Sequence, residues 1–133
     1  MMMWTGFLLT AALAAAPANL EKLRDLEDRP ALERSVAELA AAAEKASAAA
    51  EAQYRLALAS SYLAEIALEL RDKAAAERAA KTGIAAAERA VALKPDNAEY
   101  FRVLGTLYGQ VIPANAELSG PYADASPRGP PRP

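Results

Sequence analysis

Few side chains in this sequence are of a type and spacing that could do chemistry. Glu65 and Glu69 stand four apart, hence on one face of a helix, one turn beyond Tyr62. Paired carboxylates can exchange protons or hold a hard cation. No second run supplies similar ligands, so a solvated face is the simpler reading. Lys73, Arg78 and Lys81 form a basic run that an acidic partner would suit, but Glu77 interrupts it. Ser60 and Ser61 lie in an apolar stretch with only carboxylates and lysines as bases, and read as helix serines bonded to a carbonyl one turn back. Histidine and cysteine are absent. That removes the usual zinc and haem ligands, the thiol nucleophile and the neutral-pH proton shuttle. The six glycines are scattered and form no phosphate loop. The expectation is a non-enzyme, with no cofactor and no metal.

The chain has 133 residues, 15 basic and 17 acidic, for a net charge of −2. That length holds one small domain. The balanced charge lacks the concentrated basic surface that nucleic acid requires. Alanine accounts for 36 residues. It is the best helix former, and composition therefore points to an all-α fold.

Residues 1–18 carry no charged side chain. Their apolar run is shorter than the roughly 20 residues of a bilayer span. Ala16-Pro17-Ala18 fits the small-residue cleavage pattern, so the segment is expected to be a signal peptide, with Asn19 as the new N-terminus and the mature chain periplasmic or secreted. No Lys or Arg precedes the apolar core, which leaves a retained N-terminal membrane anchor, or an ordinary apolar helix, as alternatives. No cysteine follows, which excludes a cysteine-linked lipid anchor.

Periodicity then gives the elements. Leu20, Leu23 and Leu26 make a first short stripe. Asp28-Arg29-Pro30 reads as the end of one helix and the start of the next, since proline is tolerated in a first turn. A second helix, Pro30 to Lys45, carries Leu32, Val36, Leu39 and Ala43. A third, from Ser47 or Ala48 to Leu70 or Arg71, has Tyr54, Leu58, Tyr62 and Ile66 on one row and Leu56, Leu63 and Leu70 on another. After a polar break at Arg71-Asp72-Lys73, residues 74–81 read either as a short extra helix or as the first turns of one bearing Ile84, Ala87, Ala90 and Val91. Pro95 stops it, and Asp96 or Asn97 caps the last helix, Asp96 with Glu99 fitting a capping-box variant. That last helix, about Ala98 to Ile112, shows Phe101, Leu104, Tyr108 and Val111 or Ile112, with Gly105 and Gly109 leaving a shallow strip. From Pro113 to Pro133 the chain holds six of its nine prolines and too few core residues to offset ordering entropy, so this tail is expected to be disordered, or a polyproline-type ligand.

An internal repeat is visible at 48 residues: Ala50-Glu51-Ala52-Gln53-Tyr54-Arg55-Leu56-Ala57 faces Ala98-Glu99-Tyr100-Phe101-Arg102-Val103-Leu104-Gly105. Val36, Leu39 and Ala43 face Ile84, Ala87 and Val91. The stretch Gly83 to Glu99 resembles the second helix of a tetratricopeptide (TPR) repeat running into the next unit. Gly83 and Ala90 stand at its small positions, Ala87 at the packing position between them and Pro95 at its closing proline. Phe101, Leu104, Gly105 and Tyr108 match the first-helix pattern that follows. TPR units repeat at 34 residues, so a 48-residue spacing implies an insertion after Leu70, and Gln53 and Ser60 stand where aromatics are expected.

The resemblance, closest to divergent exported bacterial proteins of this type, implies stacked antiparallel hairpins over residues 19–112. It also implies a concave groove lined by first helices, which would place Tyr54, Arg55, Tyr62, Tyr100, Arg102 and Tyr108 near a protein ligand. A first helix should be followed by a second, yet proline-rich sequence follows here. The chain then reads either as a shortened repeat protein or as one whose face at Leu104, Tyr108 and Val111 is covered by a partner. The expected function is thus a protein-binding scaffold or assembly subunit, and its partner another protein or peptide. The alternatives are a self-associating helical bundle such as a homodimer, or a membrane-anchored accessory subunit if residues 1–18 are retained.

Overall fold

The computed structural model describes residues 20–114. The expected signal peptide, and the tail from residue 115, lie outside them. Among the described residues there are five helices and no strand: α1 (Leu20–Asp25), α2 (Arg29–Lys45), α3 (Ala50–Glu69), α4 (Lys73–Leu93) and α5 (Ala98–Ala114). None of the described helices is long and apolar enough to cross a membrane.

Side-chain caps fix three of the helix starts. The Asp28 carboxylate accepts from Ala31 N at 3.1 Å to open α2, and Asp72 accepts from Ala75 N at 3.1 Å to open α4. Each satisfies one of the amide donors that a helix start leaves unpaired. For α5 the cap is Asn97, whose Oδ1 accepts from Glu99 N at 3.0 Å and Tyr100 N at 3.3 Å. The expected Asp96–Glu99 box does not form, because Glu99 turns away toward Tyr54 and Arg102. Residues 74–81 are the first turns of one continuous α4. Helix α5 runs one residue beyond Pro113, where the sequence suggested a stop.

The corners repeat. Leu26 N bonds Lys22 O, Glu27 N bonds Arg24 O and Asp28 N bonds Leu23 O; the same three bonds recur at Leu70, Arg71 and Asp72. Glu27 and Arg71 both take a left-handed backbone, φ 53° and 60°. Each turn is a Schellman closure with a non-glycine residue in the strained place. The next corner also recurs: Ala46 N to Ala42 O and Ala49 N to Ala46 O match Lys94 N to Ala90 O and Asn97 N to Lys94 O. The first pair of corners is 44 residues apart and the second 48, because α4 has 21 residues where α2 has 17. The four-residue difference between the two spacings is therefore about one helical turn within α4.

Helix α3 is central and packs against all four others. Leu32, Leu39, Leu56, Ile66, Val103 and Leu107 form the large-residue core. The α3–α4 seam is made of small residues: Ala50 clusters with Ala90, Ala64 with Ala79 and Ala80, and Ala67 with Ala75 and Ala76. These pairings run in opposite directions along the two helices. Midway, a methyl group at Gly83 would lie 2.6 Å from Leu107 Cδ2 and 2.9 Å from Ser60 Cβ, so glycine is needed for three helices to meet there.

Three sequence expectations change. Leu26 and Leu70, assigned to apolar stripes, sit in the corner turns and are exposed. Gln53, at a position where an aromatic was expected, is buried, its amide reaching Ala43 O at 3.4 Å and Ser47 O at 3.3 Å. In α5 the buried stripe is Tyr100, Val103 and Leu107, one step round the helix from Phe101 and Tyr108. Tyr100 packs on Tyr54 and Leu107 occupies the space over Gly83, and these two contacts set the rotation.

Candidate functional site

The rotation of α5 leaves an apolar strip facing outward. Phe101 is 48% exposed and Tyr108 45%, while Leu104 and Val111 are half-buried. Between them Gly105 and Gly109 are exposed, and a methyl group added at either would meet nothing within 4 Å. Tyr108 is held by a 3.2 Å bond from its hydroxyl to Glu88 on α4. Burial, and then the Glu88 charge, raise its pKa above the ordinary phenol value. The candidate self-association residues Leu104, Tyr108 and Val111 thus share one side of α5, with Val111 also packed against the Ala64, Ala79 and Ala80 cluster.

Four of the six residues expected near a groove, Tyr54, Arg55, Tyr100 and Arg102, form a network between α3 and α5. The Tyr54 and Tyr100 rings stack with centroids 4.9 Å apart and planes at 28°. The Tyr54 hydroxyl donates to Glu99 at 2.7 Å, and the Tyr100 hydroxyl donates to Glu51 at 3.2 Å. Arg102 holds Glu99 through two nitrogens, at 2.6 and 2.8 Å, and Arg55 donates to Glu51 at 3.3 Å. The Arg102 hydrogen bonds, helped by the Tyr54 hydroxyl and opposed by burial, lower the Glu99 carboxyl to about 2. Burial, and then the Glu99 hydrogen bond, push the Tyr54 phenol well above its usual range. Tyr62 is buried 4.8 Å beneath the Arg24 guanidinium of α1, a contact that periodicity along one helix does not show because it crosses between helices. Tyr62 and Tyr100 are thus mostly spent on packing, and Arg102 and Tyr108 are the exposed members.

The sequence marks Glu99 only as a capping-box partner and does not mark Glu51, although the two occupy equivalent places in the 48-residue alignment. Each lies in a first helical turn, where the positive end of the helix dipole favours a carboxylate. Glu65 and Glu69 are both exposed, and no cluster of three or more potential metal-ligating His, Cys, Asp or Glu side chains occurs among the described residues. No known family model, curated protein or solved structure matches the chain.

Proposed function

We propose that this chain is a non-enzymatic structural module that self-associates, two copies packing through the outer face of α5. The observation that carries the reading is the pair Gly105 and Gly109. Glycine within a helix costs about 0.5–1 kcal/mol relative to alanine, and neither position is crowded from within the chain. Gly83, by contrast, is required by its neighbours. Two uncrowded glycines beside exposed Phe101 and Tyr108 suit a surface that another helix approaches closely.

The strip is also self-complementary. Phe101 and Gly109 each lie four residues from Gly105, so in a two-fold antiparallel pairing centred there each Phe101 meets the partner's Gly109. Within the module we read α1–α2 and α3–α4 as successive hairpin units and α5 as the opening helix of a third, in the manner of TPR-type arrays; the recurring corner bonds support this. The Ala16–Ala18 pattern supports an exported setting for it.

Light scattering coupled to size exclusion, over a wide concentration range, tests the reading. The expected result is a dimer that Gly105→Leu converts to a monomer with unchanged helical circular dichroism. A chain that stays monomeric at every concentration overturns it.

A further inference from the structure

Helices α2, α3 and α4 enclose a second feature, a cleft of about 180 Å³. Val36, Leu63 and Ala79 give it apolar walls, and Arg29, Arg78 and Thr82 stand among its lining residues. Arg29 is engaged by Asp72 at 2.8 Å and by Glu33, also in the lining, at 3.3 Å. Arg78 has no carboxylate within ion-pair distance among the described residues. The cleft therefore offers room for one apolar group beside a cation that, among the described residues, has the Asp72 charge nearby but no carboxylate in direct contact.

We propose that the chain's own segment after α5 fills it, with the Tyr122 ring in the cleft and Asp124 facing Arg78. The size fits, since an apolar cavity of about 150 Å³ accepts a benzene ring, and Tyr122 is the one aromatic residue between 115 and 133. The route is short. Val111 packs in the cluster of Ala64, Ala79 and Ala80 together with Leu63, and Leu63 and Ala79 also line the cleft. From Ala114, eight residues reach Tyr122 and span up to about 27 Å when extended, more than the roughly 10–12 Å needed to pass one helix. The charges near the ring agree: Glu117 and Asp124 flank Tyr122, while the basic Arg128 and Arg132 of the same segment lie four or more residues further along.

Because the chain has no cysteine, a disulfide pair can report the docking in the full-length protein. Thr82→Cys with Ala123→Cys is expected to close within one molecule about tenfold faster than the same pair carrying Tyr122→Ser, since docking raises the effective concentration of a tethered thiol. Arg78→Glu is expected to slow closure and Asp124→Arg, added to it, to restore the rate. Circular dichroism of each variant verifies that the helices remain. Equal rates with and without Tyr122, or disulfides formed only between chains, overturn the proposal. Failure of the charge reversal to restore closure overturns the Arg78–Asp124 pairing. Self-association through α5 is read by a different measurement and can fail independently.

Discussion

Tyr54 and Tyr100 stack face to face across α3 and α5, and each hydroxyl reaches the first-turn glutamate of the other's helix. Glu51 and Glu99 occupy equivalent places 48 residues apart, whereas the tyrosines are 46 apart, so the exchange of bonds pairs equivalent acids with non-equivalent rings. The two bonds are not equal, Tyr54 to Glu99 being shorter and reinforced by Arg102. Tyr54→Phe keeps the stack and removes the shorter bond. It is expected to lower unfolding free energy by about 1 kcal/mol, near the low end for a hydrogen bond to a charged group because Glu99 is partly solvated. Tyr100→Phe should cost less, and urea unfolding of the two variants checks the order.

The same carboxylate gives the protein an acid-sensitive component. Glu99 is lowered from 4.5 to about 2 in the folded state. A depressed folded pKa contributes stability that is present above the unfolded value and lost as pH falls through the folded one. The contribution is thus complete above about pH 5 and declines toward pH 2. Unfolding midpoints at pH 7 and pH 2.5, compared between the natural chain and Glu99→Gln, should differ most at the first pH and much less at the second, the difference vanishing only below the folded pKa.

Glycine replacements should separate the interior of the bundle from its outer face. Gly83→Ala drives a methyl into Leu107 and Ser60 and is expected to destabilise by about 1–3 kcal/mol, the usual cost of overpacking. Gly105→Ala meets nothing and should stabilise the monomer by about 0.5–1 kcal/mol while weakening self-association. Thermal melts at low protein concentration, paired with light scattering at high concentration, read both effects.

At the corners the expected sign is reversed. Glu27 and Arg71 hold the left-handed backbone, which costs a side-chain-bearing residue roughly 1–2 kcal/mol. Glu27→Gly and Arg71→Gly should each raise stability by about 0.5–1 kcal/mol, part of the relief being offset by the greater freedom of glycine when unfolded. Denaturant melts of the single and double variants check whether the gains add, as expected for separate turns.

Helix bounds were legible where punctuation is local: Asp28-Arg29-Pro30 and Lys94-Pro95-Asp96 mark real corners, because caps and prolines act on the few residues beside them. The rotation of α5 was not. Phe101, Leu104 and Tyr108 form as good a periodic stripe as Tyr100, Val103 and Leu107, and only contacts made by other helices choose between them. The sequence points to Tyr54, Tyr100 and Arg102 only through the resemblance, as residues near a groove, and to Glu99 only as a capping residue. The bonds that join them cross between helices, and an acid in a first turn is ordinary on any helix. The corner turns hid for a related reason: nothing in Leu26-Glu27-Asp28 or Leu70-Arg71-Asp72 announces a left-handed residue when glycine is not the one that adopts it.

The seam between α3 and α4 has a consequence for alignment. Alanine recurs so often along both helices that sliding α4 by a turn would still set Ala50 against Ala86 and Ala64 against Ala75 and Ala76, so alanine alone aligns the pair only weakly. What resists the slip is Leu107, wedged over the single glycine of α4 beside Ser60. Anywhere else along α4 a Cβ stands in the way. The two helices of the hairpin are therefore pinned lengthwise by a side chain from the helix that follows them, and their alignment is settled only when α5 joins.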